Sequence, residues 1–259
     1  TGSEMLRPIN YIESRGSAQC KSLVMFAALS CYGKTTIKAK KSRDISELLL
    51  SKIGAEVKVS KGKNFDYIEI EGKKNFKSFN LNISGDISSA AFLIALTILN
   101  KKSKIKIKSV NLNPTRTGIL RVLKKINAKF KIINKKKIDN ELVGDIVAKS
   151  SPNLKPIKCN NALNSSLIDE LPILFVIAAK SKGISYFKDL EALRGKETDR
   201  LYLMNKILNQ IGIKTKIVKN SIKIWGNPKL NLNKTYNIKS YYDHRITMSA
   251  TIMALIFGG

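Results

Sequence analysis

Hydrophobic and polar positions along the chain recur as a block about every 70 to 80 residues, longer than solenoid periods and closer to a tandem supersecondary unit. Each block opens with a polar cluster running into a small-residue, apolar helix. Ser17-Ala18-Gln19 leads into CKSLVMFAALS and Gly85-Asp86-Ile87-Ser88-Ser89 into AAFLIALTIL. Ile168-Asp169-Glu170 leads into LPILFVIAAKS and Asp243-His244-Arg245 into ITMSATIMALIF. These helices are apolar nearly all round, which predicts burial in a core. A short alternating strand is expected after each complete one, at residues 35–39, 104–110 and 184–190.

A second, more amphipathic helix is expected at 42–55, 115–128 and 197–212, each with a Ser or Thr able to cap at or next to its first residue. The first and third stop at Gly54 and Gly212, as helix ends do. Hairpins at 56–72, 129–150 and 214–226 complete the blocks, and a strand at 8–12 precedes the first helix. The pattern therefore predicts an α/β fold of repeated units around a helical centre, with a boundary near Ser84-Gly85. The fourth block reaches its first helix and ends at Gly258-Gly259, so the pattern leads one to expect a fragment.

Composition changes this picture little. With 43% apolar and 25% charged residues, 259 residues suffice for one large domain or two smaller ones. The longest apolar stretches, 92–99 and 171–179, fall short of the roughly 20 residues that span a bilayer. No basic head and apolar core mark a signal peptide. Three cysteines without a CxxC spacing indicate neither a disulfide framework nor a zinc site, which fits a reducing cytoplasm.

The net charge of +28 is the usual footprint of nucleic-acid binding. Here the lysines are spread over most expected surface segments, stacking aromatics are few at 7%, and no RRM, KH, helix-turn-helix or zinc-finger signature occurs. A solvated Lys-rich surface is the better reading, one that would still draw anionic small molecules to a cleft. Against that background the scarce arginines stand out, because only their planar fork binds phosphate or carboxylate bidentately. They are Arg7, Arg15, Arg43, Arg116, Arg121, Arg194, Arg200 and Arg245.

The candidate chemistry sits where blocks begin. Helix N-termini present unpaired N–H groups and about half a positive charge, so they hold anions. Ser17 and Gln19 add hydroxyl and amide groups there, although an ordinary N-cap explains Ser17 as well. Arg43, in Ser42-Arg43-Asp44, offers a fork at a second helix start or a surface ion pair with Asp44. The run from Asn113 to Gly118 reads as a tight turn into a helix. Asp169 lies at the mouth of a buried helix, either as cap or as functional carboxylate. Arg194-Gly195-Lys196-Glu197-Thr198-Asp199-Arg200 crowds three cations and two acids at a strand-to-helix junction; a solvated ion-pair network is the alternative. A helix starting near Glu197 would put Glu197 and Arg200 on one face. His244 is the chain's single histidine, beside Arg245 at another helix mouth. One His and scattered Cys cannot build a usual metal site, and no P-loop or dinucleotide motif occurs.

In combination and order, SAQCKS, KSRD, GDISSAAF, NPTRTG, IDELPIL, LRGKETDRL and DHRITMS resemble the 5-enolpyruvylshikimate-3-phosphate synthase family, in its Ser-Ala-Gln-containing bacterial class. The resemblance covers nearly the whole chain. It implies βαβαββ units in two domains, the inside-out α/β barrel of enolpyruvyl transferases, truncated here at both ends. Residues 1–84 would end the first, shikimate-phosphate-holding domain, and 85–259 would form most of the second, without its C-terminal unit.

The implied reaction transfers the enolpyruvyl group of phosphoenolpyruvate to the 5-hydroxyl of shikimate 3-phosphate. It runs by addition and elimination with no metal or organic cofactor. Ser17, Ala18, Gln19 and Arg43 would hold shikimate 3-phosphate, with Asp169 and Lys196 contacting it. Asp169, Lys196 and Glu197 would be catalytic, Glu197 handling the proton at the phosphoenolpyruvate methylene. Gln19, Arg200, His244 and Arg245 would hold phosphoenolpyruvate. The class's SRDHTE pattern carries Ile45 and Ser46 here in place of its His and Thr. Its upstream Lys-Ser segment and Arg, and a downstream Lys, have no counterpart, which implies that this polypeptide alone is inactive or nearly so. The complete protein would be a cytoplasmic monomer with small-molecule substrates, no specific nucleic acid and no membrane. The alternatives are the transferase acting on UDP-N-acetylglucosamine and a basic nucleic-acid-binding protein.

Overall fold

The computed structural model describes residues 5–72, 75–76 and 78–258. The chain divides into two compact units, Thr1–Ile83 with Lys137–Leu142, and Ser84–Lys136 with Val143–Gly259.

The first unit holds one complete block: β1 (Asn10–Glu13), α1 (Ala18–Ala28), β2 (Lys34–Lys40), α2 (Ile45–Lys52), β3 (Glu56–Lys61) and β4 (Phe65–Glu71). Its sheet runs in the order β1-β2-β4-β3, with β1 parallel to β2 and the other pairs antiparallel. Alternation places Ile37 and Ala39 of β2 on the same face as Ile68 and Ile70 of β4, where they pack with Met25, Ala28 and Leu50 from the two helices.

The second unit carries two further blocks. The first comprises α3 (Ile87–Leu99), β5 (Lys104–Asn111), α4 (Gly118–Lys125), β6 (Phe130–Ile138) and β7 (Glu141–Lys149), with sheet order β5-β7-β6. A single parallel bridge from Gly85 to Val110 stands where its leading strand would lie. The next comprises β8 (Lys158–Cys159), the one-turn α5 (Asn164–Leu167), α6 (Leu171–Lys180), β9 (Gly183–Phe187), α7 (Arg200–Gln210), β10 (Thr215–Val218) and β11 (Ser221–Gly226). Its order is β10-β11-β9-β8, with β8 parallel to β9. Counted from its own first strand, this is the order of the first unit's sheet. α8 (His244–Phe257) opens the next repeat and packs with α3 and α6.

The repeat extends to single atoms. Gly72 closes β4, and a Cβ there would overlap the carbonyl oxygens of Ala28 and Cys31, just past α1. Gly226 closes β11, and its Cβ would overlap those of Ala178 and Ser181 at the end of α6. In both blocks the last strand presses against the C-terminal carbonyls of the first helix, and only glycine leaves room.

Several expectations need correcting. The amphipathic helices begin three residues later than the pattern suggests, because Ser42 to Asp44, Thr115 to Thr117 and Glu197 to Asp199 belong to the connecting segments. Their N-caps are Asp44, Thr117 and Asp199, and of these only Asp199 bonds the helix with its side chain, to Tyr202 N–H. The stops hold: Gly54 and Gly212 take φ of +87° and +86°. β9 ends before residue 188 because Asp189, at φ +57°, turns the chain out of the sheet. The four-residue α5 and two-residue β8 are too short for any period to register.

All-round burial holds for α6, with nine buried residues, but not for α1, where only Lys21, Met25 and Ala28 are buried. α1 sits on its sheet by one stripe at i, i+4, i+7 and leaves Leu23 and Phe26 exposed. Among the described residues no single helix is long and apolar enough to cross a membrane.

Candidate active site

In the first unit the polar helix mouth is built from its turn outward. Glu13, buried at the end of β1, accepts from the N–H groups of Arg15 and Gly16 at 3.0 and 2.7 Å. Gly16 takes φ +77°, which swings the chain into α1 with Ser17 as N-cap. Ser17 Oγ accepts from Cys20 N–H at 3.2 Å, so the cap reading is correct for it. Ala18 is half-buried and Gln19 is exposed at the open end of the helix.

Arg43 lies on the loop before α2, and side chains of α1 fasten both that loop and α2. Lys21 Nζ donates to the Arg43 carbonyl at 2.6 Å and to Glu47 at 2.5 Å. Ser22 and Ser46 hydroxyls meet at 2.6 Å. Ser46, one of the two departures from the family pattern, thus keeps a hydroxyl that bridges the helices. Ser42 Oγ, beside Arg43, is buried with no hydrogen-bond partner among the described residues.

In the second unit the centre is Arg200, 1% exposed, at the first residue of α7. Its Nε donates to Asp243 Oδ2 at 2.8 Å, and its Nη2 to Glu197 Oε2 at 2.6 Å and Asp243 Oδ1 at 3.2 Å. Its Nη1 stands 3.6 Å from Asp169 Oδ1. Glu197 and Arg200 do pair, but across a turn rather than along a helix face. Asp243 is the N-cap of α8, accepting from the N–H groups of Arg245 and Ile246, and it also takes the Thr198 hydroxyl at 2.9 Å. Burial pushes its carboxyl up, yet the bonds from Arg200 and Thr198 and the Arg200 charge outweigh this and hold it below the ordinary range.

Around this hub, Glu197 is half exposed, Lys196 is half-buried beside it, and His244 is exposed at the α8 mouth. The Arg245 guanidinium lies 5.8 Å from the Phe92 ring centroid, a cation–π contact between α8 and α3. Arg194 turns away, binding Asp199, Asn220 and the Lys219 carbonyl, so two of the five clustered charges go to the β10–β11 turn. The structure therefore gathers Asp169, Glu197 and Arg200 together and sets Lys196, His244 and Arg245 beside them.

The same construction recurs one block earlier. Arg116 donates to Asp86, the N-cap of α3, at 2.6 Å, and to Ser88 Oγ at 3.2 Å. Burial raises the Asp86 carboxyl, and Arg116 with the Ser88 and Ser89 bonds brings it below the ordinary range. The Asn113 to Gly118 run is the tight turn expected, with Asn113 Oδ1 accepting from Thr115 N–H at 2.8 Å.

Sequence reasoning passed over Asp243, Lys21, Glu47 and Ser42 as site residues. A lysine inside an apolar helix was the available signal for Lys21, and an acid immediately before His244-Arg245 for Asp243. Ser42 left none. Among the described residues no group of His, Cys, Asp and Glu could hold a metal ion, and Cys20, Cys31 and Cys159 are free thiols.

Three βαβαββ blocks with charged helix mouths define the fold of the enolpyruvyl transferases. The NikO enolpyruvyl transferase of Streptomyces tendae superposes over 98% of the chain with a TM-score of 0.69 at 13% identity, a likeness of fold alone. More particularly, the chain belongs to the EPSP synthase (3-phosphoshikimate 1-carboxyvinyltransferase) family, whose model matches residues 2–259. EPSP synthase from Acinetobacter baumannii superposes over the whole chain with a TM-score of 0.87 at 32% identity, and 58% of that chain is covered. The 3-phosphoshikimate 1-carboxyvinyltransferases of Petrotoga mobilis and Caldicellulosiruptor bescii are each 40% identical, over 98% and 100% of this chain. The chain spans 58% and 59% of their lengths.

Proposed function

We propose that the chain serves the transfer of the enolpyruvyl group of phosphoenolpyruvate to the 5-hydroxyl of shikimate 3-phosphate. Family membership supports the reaction. The observation that carries it to this chain is the convergence of Asp169, Glu197 and Asp243 on the buried Arg200.

In this reading the 5-hydroxyl oxygen bonds to C2 of phosphoenolpyruvate while its methylene carbon takes a proton. The tetrahedral adduct then loses phosphate and returns a proton from the new methyl group, restoring the double bond. Asp169 takes the hydroxyl proton, and Glu197, exposed enough to reach ligand, serves the methylene carbon. Lys196 and Arg245 supply positive charge where the phosphate leaves, with His244 beside them. Arg200 fixes both carboxylates and offers its Nη edge to the phosphoenolpyruvate carboxylate. Ser17, Ala18, Gln19, Ser42 and Arg43 hold shikimate 3-phosphate at the mouth of α1 in the first unit, and Gln19 also reaches phosphoenolpyruvate. The protein acts as a cytoplasmic monomer on these small molecules, without nucleic acid.

The test is phosphate release by the full-length protein given both substrates. Glu197→Gln is expected to lower kcat by about 100-fold or more, the contribution of a positioned acid–base group. Phosphate release indifferent to shikimate 3-phosphate, or an unimpaired Glu197→Gln enzyme, would sink the proposal.

A further inference from the structure

A lysine side chain with 3% exposure lies inside α1, one turn from Ser17, and reaches a loop 22 residues away. Lys21 spends one donor on Glu47 of α2 at 2.5 Å and another on the backbone carbonyl of Arg43 at 2.6 Å. A buried ion pair is weak grounds for stability, since desolvation offsets most of its attraction. Glu47 is not even fully used, because its Oε2 is buried without a hydrogen-bond partner. The bond to Arg43 is of another kind. It fixes the main chain at the residue whose guanidinium is to meet an anion.

The next residue, Asp44, joins the helix through its carbonyl, which accepts from Leu48 N–H at 3.2 Å, and makes no side-chain bond to the N–H groups of α2. The Ser22–Ser46 contact, one residue on from Lys21 and one back from Glu47, joins the first turn of α2 to α1. Lys21 thus ties α1, whose mouth carries Ser17 and Gln19, directly to the main chain of the Arg43 loop.

We infer that Lys21 is a positioning residue for the shikimate-phosphate pocket, acting through the Arg43 backbone and touching no substrate. The inference rests on the proposed function of this site. It separates Lys21 from Glu47, since Glu47 orients and neutralises the ammonium but does not itself hold the loop.

Two variants of the full-length protein divide the roles. Lys21→Met with Glu47→Met removes the tie and both charges together, leaving no uncompensated charge in the core. It should fold, with the KM for shikimate 3-phosphate raised about tenfold, the weight of one charge-assisted hydrogen bond, and that for phosphoenolpyruvate nearly unchanged. Glu47→Gln keeps the bond to Arg43. It should lose thermal stability while keeping its KM for shikimate 3-phosphate.

A purely structural Lys21 gives the opposite pairing, with KM following stability in both. A folded double variant of wild-type KM overturns the inference, and so does a Glu47→Gln enzyme whose KM rises with its instability; the latter decides the matter even if the double variant does not fold. A wild-type protein that neither binds nor turns over shikimate 3-phosphate removes the functional reading itself, and the inference with it.

Discussion

At the residue scale the site is a set of buried charges, each of which depends on its neighbour. Arg200 at 1% exposure and Asp243 at 0% are the extreme case. Arg200→Met should leave Asp243 charged and uncompensated, at a cost of about 3–5 kcal/mol in urea unfolding. Arg200→Lys should recover only part, since one ammonium cannot replace a fork spread over three carboxylates.

Asp145 shows the same logic in the β5–β7 sheet. Ser109 N–H, at a break in the β5–β7 register, together with Asn134 and Lys106, lowers its carboxyl from 3.8 to about 2. Its folded value is depressed, so its contribution is complete above pH 3.8 and disappears as pH falls towards 2. Unfolding followed from pH 6 downward (about neutral to acid, bracketing that window) should show this loss, and Asp145→Asn should lack that share of it. Of these pairings only Glu197 with Arg200 could be read in advance, from their spacing. Arg200 and Asp243 stand far apart in sequence, and the scarcity of arginine marked the residue without naming its partner.

At the element scale the hydrophobic period was a good guide to which helices and strands exist and a poor one to where they begin. Turns led by Ser42, Thr115 and Glu197 contain good capping types, so the pattern starts the helix at the first plausible cap. The chain uses the second, after a turn that aims Arg43 and Glu197. What period cannot see at all is close approach. Gly226 reads in sequence as the end of a hairpin, whereas in the fold it is the point where β11 meets the end of α6. Gly226→Ala should therefore cost about 1–3 kcal/mol, the range for forcing atoms into a packed contact. Gly195→Ala, with nothing within 4 Å of the new methyl, should leave stability nearly unchanged in the same denaturation experiment.

At the scale of the whole molecule, the repeat was legible because every block renews the same problem: an apolar helix needs a polar start and a sheet to lie on. The motifs DHR, KETDR and SAQ were legible as resemblance, since their order along the chain is as specific as their content. The excess of 28 positive charges was the least informative global number, because it says nothing of where local anions are needed. Arg200 is the counterexample to that global sum, a cation inside a ring of acids.

That ring has a consequence for how any anion is admitted. An arginine already bonded by Asp243 and Glu197 is never vacant; it holds the protein's own carboxylates as internal competitors. Under the proposed function an arriving carboxylate or phosphate would replace an incumbent rather than fill a hole, and Glu197, the exposed member, would be the one to leave. Recognition there would then be an exchange of partners, with the displaced group free to take up other work.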